Sequence, residues 1–304
     1  MPPDPTPTLE SFLEGLPIFL DPILCGAAAG LILGFLGVYV VLRRMVFVSA
    51  AVTHSAGLGV AAVFYAQIHL GLSATWSPLA GAFVFGIGAT VLLALNPERV
   101  RLTQESLVGL CFVFASGAAL LLGDRISQES HDIHAIIFGT AVLVSKGDLL
   151  ATLIVGGLVL AAHLVLRRGL IFASFDPDTA RVQGLPVRFL DGFLLGTVGL
   201  MVSVTTRALG AMPVFALSVL PAMAALALGV RFGWALGVAA AIGALSAVVG
   251  YVASFFLHFP VGATQTVVAS LFAAVAMACS GIARTLRQRA EQRCQTHPGS
   301  LRPR

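Results

Sequence analysis

Charge is the scarcest property of this sequence. Only 11% of its 304 residues are Asp, Glu, Lys or Arg, against 58% apolar. A water-soluble chain of this length needs far more charge on its surface, so that class is excluded. The apolar runs are about 20 residues long, not alternating segments of roughly ten, which favours helices over a membrane barrel. No basic residue precedes the first apolar run, so MPPDPTPTLE lacks the n-region of a cleaved signal peptide and reads as a retained tail. Neither GxxxxGKS/T nor GxGxxG occurs, so any ATP that drives this protein is hydrolysed on another polypeptide. The four cysteines form no CxxC or other metal-ligand spacing; they read as small hydrophobes in or near the spans. The net charge of +4 comes from basic residues scattered in short loops, which implies no nucleic-acid partner.

What is present is a series of lipid-length apolar runs. Nine candidate spans cover roughly 17–42, 45–66, 76–95, 106–123, 148–166, 189–206, 210–230, 232–257 and 261–283. The fold class is therefore all-α, a polytopic transmembrane helical bundle of about nine spans, with eight to ten as the range. The run 189–206 is marginal because it holds Asp191, and Pro213 and Pro221 predict a break in 210–230. A short apolar piece, 133–144, is expected to be re-entrant or to lie on the surface. The division is a disordered tail over 1–16, a transmembrane domain over 17–284 and a basic tail over 285–304. With Arg43 and Arg44 placed in the cytoplasm, fifteen of the eighteen basic residues fall inside. Only Arg125, Lys146 and Arg207 fall outside, so the N-terminus is expected outside and the C-terminus in the cytoplasm. Glycines at 26, 30 and 34, and again at 192 and 196, put small residues on one helix face, as close helix packing in lipid requires.

The largest charged loop is RRGLIFASFDPDTARVQGLPVR, 167–188. Asp176–Pro177 opens a turn or caps a helix, DTARVQ forms a short amphipathic helix, Gly184 ends it and Pro186 blocks its continuation. A short helix displayed beneath a bundle suits docking to a soluble partner; a plain connecting loop is the other reading.

Four segments give the chain a family resemblance: LRRMVFVSAAVTHSAGLGVA (42–61); ESLVGL with DIHAIIFG (105–110 and 132–139); SFDPDTARVQGLPV (174–187); and ALGAMPVFALSVLPAMAA (208–225) with FPVGAT (259–264). In order and spacing they resemble the permease subunits of zinc/manganese-type (metal-chelate) ABC importers, over residues 20–283. The resemblance implies a transport permease with no catalytic residue and no bound cofactor. Its cargo would be a divalent transition metal, zinc ahead of manganese and iron, and it would lie in the cytoplasmic membrane. The implied partners are cytoplasmic ABC ATPase subunits, an extracytoplasmic metal-binding protein, a second copy of the chain and membrane lipid. The ATPase-docking loop would comprise Asp176, Pro177, Asp178, Arg181, Gly184 and Pro186.

One departure stands out. The family's Asp-x-x-x-His pair falls on positions 50 and 54, and here Ala50 replaces the carboxylate beside His54. At i and i+4 such a pair presents both ligands on one face, so its loss weakens the site for hard ions. Thr140, after IIFG, is a second departure. His54 remains a candidate because ionisable groups at membrane depth are rare and usually functional. The densest ligand stretch is QESHDIHAIIFG, with Glu129, His131, Asp132 and His134 within six residues. Imidazole and carboxylate together suit zinc, manganese or iron, and this stretch is expected to form an entry vestibule. His258, before FPVGAT, is a further candidate ligand. Two rival readings remain: an ATP-independent metal channel or carrier, and a permease homologue that does not transport.

Overall fold

A computed structural model describes residues 8–71, 76–94, 103–127 and 144–296. All regular structure among them is helical: α1 (Leu9–Glu14), α2 (Leu16–Leu42), α3 (Val46–His69), α4 (Pro78–Ala94), α5 (Gln104–Ser127), α6 (Lys146–Phe175), α7 (Pro177–Val182), α8 (Val187–Leu209), α9 (Ala211–Ala227), α10 (Phe232–Leu257) and α11 (Val261–Thr296). Seven of these are long and apolar enough to cross a membrane. The two 17-residue helices α4 and α9 are each about 26 Å long at 1.5 Å per residue, close to the ~30 Å of a bilayer core. These nine helices fall on the nine expected runs.

Helix α2 lies at the centre. It packs on α10, α9 and α6, while α3 gathers α4, α5 and α8 on the other side. Two of the spaced glycines explain the closest approach. A Cβ on Gly30 would collide with the Gly243 carbonyl, and one on Gly34 with that of Ala239, so α2 and α10 meet backbone to backbone. Gly192 and Gly196 differ: a Cβ on either would meet nothing within the described chain. Cys25 is buried beside Thr152, whereas Cys279 is exposed on α11.

Several boundaries depart from expectation. Helix α6 does not stop at the arginines near 167 but runs on to Phe175, so much of the expected loop 167–188 is helix. Arginine is a good helix former; its charge limits how deep in lipid a residue can sit, not whether the helix continues. Helix α9 is continuous through Pro221, where the expected break is absent. Pro213 lies in its first turn, where no intrahelical donor is lost. Order begins inside the tail 1–16, because Thr8 and Ser11 form a capping box that starts α1, and Phe12 packs on Phe255 at 5.1 Å between ring centroids. At the other terminus, α11 continues to Thr296, into the segment read as a basic tail.

Arg43, Arg44, Arg167, Arg168, Arg181, Arg188 and Arg231 gather at one end of the bundle, where α2, α6 and α9 finish. Asp148, Arg207 and His258 lie toward the opposite end.

Candidate functional site

His54 occupies the third turn of α3, about 12 Å along the axis from Val46 at 1.5 Å per residue. It is half-buried. Its Nδ1 lies 3.0 Å from the Ala50 carbonyl oxygen. A carbonyl only accepts, so in this contact Nδ1 carries the proton, and the lone pair of the neutral ring sits on Nε2. Nε2 has no hydrogen bond among the described residues, and the ring meets Phe112 of α5 edge to face at 4.7 Å. A backbone carbonyl fixing one ring nitrogen while the other is left to coordinate is the usual arrangement of a ligating histidine. The neighbouring turns of α3 carry buried Ser49, Thr53 and Ser55. Ser49 Oγ pairs with Ser218 Oγ of α9 at 3.0 Å, giving this part of the bundle a polar lining that apolar packing alone does not require.

Of the other candidate ligands, only His258 falls among the described residues, and it is not brought to His54. Glu129, His131, Asp132 and His134 lie outside the described residues, as does the piece 133–144 except for its last residue. His258 is exposed and closes α10 in the left-handed conformation, φ 54°, donating its backbone N–H to the Ser254 carbonyl. It ends a helix of 26 residues that begins at the arginine-rich end, so it sits far from the level of His54. Among the described residues no three His, Cys, Asp or Glu side chains converge on a point that would hold a metal ion.

The short charged segment over 176–186 forms as its residues demand. Asp176 caps α7 by accepting from the Thr179 amide at 3.0 Å, and Pro177 occupies the first helical position. The Thr179 side chain and then its backbone hold the Asp176 carboxyl below the usual carboxylate range. Asp178 pairs with Arg181 at 3.0 Å on the exposed face, and Ala180 faces inward, fully buried. Gly184, with φ +82°, ends the turn, and Pro186 precedes α8. Val182 projects outward, 88% exposed, an apolar contact surface beside a charged pair.

Sequence reasoning missed what fastens this segment. Arg43, at the elbow after α2, donates from Nε to Ser174 Oγ at 2.9 Å and from Nη1 to the Asp191 carboxylate. Ser174 ends α6 and Asp191 opens α8, so one guanidinium clasps the two helices that flank α7. Asp191, the residue that made its span marginal, is thus a counter-charge. At the opposite end Arg207 Nη1 donates to Asp148 Oδ1 at 2.7 Å, tying the end of α8 to the start of α6. The signal was a charge of each sign near span ends; which ends meet is a tertiary fact.

Helical spans around a central α2, with a short capped helix at the arginine-rich end, define a membrane permease of the ABC importer type. Residues 16–280 match the family model of the ABC 3 transport family, and the chain belongs to that family. ATP hydrolysis accordingly resides on a separate subunit. The chain is 27% identical over 265 residues to the manganese transport system membrane protein MntC of Listeria innocua, covering 86% of this chain and 91% of that protein. It is 29% identical over 261 residues to the chelated iron transport system membrane protein YfeD of Yersinia pestis, covering 86% and 85%. The fold matches a chain of PsaBC from Streptococcus pneumoniae, solved in complex with a Fab, with TM-score 0.75 and 23% identity over 88% of this chain and 95% of that one.

Proposed function

We propose that this chain imports a divalent transition metal ion, as a pair of identical permease subunits driven by ATPase subunits docked on α7 and fed by an extracytoplasmic binding protein. The observation that carries this reading is His54: an imidazole inside a span, one nitrogen committed to a carbonyl and the other without a hydrogen bond among the described residues, in a chain whose relatives are named for manganese and chelated iron transport. The arginine-rich end is cytoplasmic by the distribution of basic residues, so the N-terminus is outside and the C-terminus inside. Transport then needs only weak, exchangeable coordination, with His54 replacing part of the ion's hydration shell between alternating outward and inward openings. Glu129, His131, Asp132 and His134 supply the outer entrance on the same reading, and His258 contributes at that face.

Two observations bear on the cargo. The names of the relatives favour manganese or iron. The residue at position 50 favours zinc, because an imidazole without its carboxylate neighbour is a poorer site for the harder manganese ion. The second belongs to this chain, and zinc is put first.

The test is uptake into proteoliposomes holding the permease, its ATPase and its binding protein, with zinc, manganese and iron offered together. ATP-dependent uptake with zinc preferred is expected, and His54→Ala should lower it by about tenfold or more. Undiminished uptake by His54→Ala removes His54 from the path. Preference for manganese or iron reverses the cargo order, and uptake without ATP favours a channel or carrier.

A further inference from the structure

Helices α6 and α10 both pack on α2 yet do not pack along each other. Between them runs a cavity of about 560 Å³, floored by α2 at Leu31, Phe35 and Tyr39 and open along its side. At the arginine-rich end the two helices meet through Phe175 and Phe232, edge to face at 5.3 Å. Its lining is apolar except for Arg167 and Arg168 on α6 and the tyrosine Tyr39 on α2. Arg167 lies about 32 Å along α6 from Lys146 at 1.5 Å per residue. If α6 crosses from its first turn, that distance matches the ~30 Å hydrocarbon core and puts both guanidinium groups at the headgroup level.

Three independent features point to an occupant. Neither Arg167 nor Arg168 has a hydrogen bond or ion pair among the described residues, although Arg43 and Arg207 are both paired. The Tyr39 hydroxyl is buried without a hydrogen-bond partner among the described residues, on a residue that lines the cavity and lies in the field of Arg43 and Arg167. Gly233 and Gly237 line the α10 wall, and a Cβ on either would meet nothing. Gly30 and Gly34 are small so that backbones can touch; Gly233 and Gly237 leave room that this chain does not fill.

We propose that this groove holds an anionic phospholipid, its phosphate on Arg167 and Arg168 and one acyl chain lying over α2 between α6 and α10. From Leu160 to Ile171 the α6 wall is about 17 Å long, enough for most of an acyl chain. The positive pair selects the headgroup charge, and the glycines admit the chain. His54 meets α5, on a helix that hardly touches α2, so the groove is separate from the candidate cation path and does not depend on the cargo.

The full chain is purified in detergent and examined by native mass spectrometry and thermal denaturation, with phosphatidylglycerol, phosphatidylcholine or glycerol phosphate added. Phosphatidylglycerol should be retained several-fold more than phosphatidylcholine and should raise Tm, with no effect of glycerol phosphate. R167Q/R168Q should abolish the preference. Gly237→Leu, which fills the groove from a position with no backbone clash, should abolish retention while its Tm without lipid stays near that of the wild type. Equal retention of the two lipids, or a preference that survives in both variants, overturns the proposal. So does a response to glycerol phosphate equal to that to the lipid. A Gly237→Leu variant that changes oligomeric state with no lipid dependence assigns the groove to a second copy, which also overturns it.

Discussion

His54 and His163 begin from the same local bond and end in opposite situations. Each lies inside a helix and places Nδ1 at a carbonyl one turn back, Ala50 at 3.0 Å and Val159 at 2.9 Å. His163 is fully buried, with Nε2 3.5 Å from Thr197 Oγ1 and the ring walled in by Phe35, Tyr39 and Phe193. Among the described residues His54 is half-buried, touches one ring and makes no hydrogen bond through Nε2. A membrane histidine is therefore not informative by its depth; the second nitrogen decides. Where that nitrogen is met by a side chain, the residue holds helices together. Where it is left open, it is available to an ion.

The largest expected effect tests this directly. His163→Ala opens a cavity among three aromatic rings, at a cost of about 3 kcal/mol, while Thr197 keeps its backbone partners Phe193 and Leu194. His54→Ala removes one ring contact and should cost less than about 1 kcal/mol. Thermal denaturation should therefore separate the two strongly, while uptake by the surviving fold falls only in His54→Ala. Equal losses of Tm would end the distinction.

The same contrast extends to charge. Arg43 pairs through Nε with Ser174 and through Nη1 with Asp191, while its Nη2 has no hydrogen-bond partner among the described residues; 10% of its side chain is exposed against 48% for Asp191. Arg43→Gln removes a half-solvated pair and should cost about 1–2 kcal/mol. Its larger consequence is mechanical: α6 and α8 lose the tie across α7, so ATPase subunits should still bind and hydrolyse ATP while uptake per ATP falls. Unchanged uptake per ATP in Arg43→Gln would reduce the clasp to a local structural contact. Asp191→Asn should act in the same direction and less strongly, since it keeps one acceptor oxygen.

A third change adds a hard ligand beside the open histidine. Ala50→Asp places a carboxylate one turn from His54, on the same face. The added hard oxygen donor should move preference toward manganese, by several-fold in competition uptake. Position 50 is 3% exposed, so the variant will also lose stability; the preference ratio, not the absolute rate, is the reading. A ratio unchanged from the parent would separate position 50 from the path.

The fold was legible because lipid imposes it. The nine apolar runs each became a helix among the described residues, and the spacing of Gly30 and Gly34 marked a face for close packing, though not its partner α10. What was illegible depends on residues far apart in the chain. That Asp191 answers Arg43, or Thr197 answers His163, is set by which helix ends and faces meet. The end of α6 was misplaced because charge marks the water boundary, and a helix crosses that boundary freely. The local structure over 176–186 was read almost residue by residue, since a cap, a proline and a positive-φ glycine act locally.

The smallest effect belongs to that segment. The Asp176 carboxyl is held below its ordinary range by Thr179. A group with a depressed folded pKa stabilises the fold fully above its unfolded value, and that contribution is lost as pH falls through the folded value. The α7 cap should therefore be insensitive to pH from neutrality down to about 5 and weaken only below about 4, the unfolded carboxylate range. Asp176→Ala should remove this acid dependence and speed amide hydrogen exchange at Thr179 several-fold at neutral pH, with Tm almost unchanged because the group is exposed. Since α7 is also held by the buried Ala180 and by the clasp on either side, its ATPase contact should weaken without disappearing. Loss of all ATPase binding in Asp176→Ala would mean that the carboxylate itself touches the partner, and that α7 is recognised by charge rather than by shape.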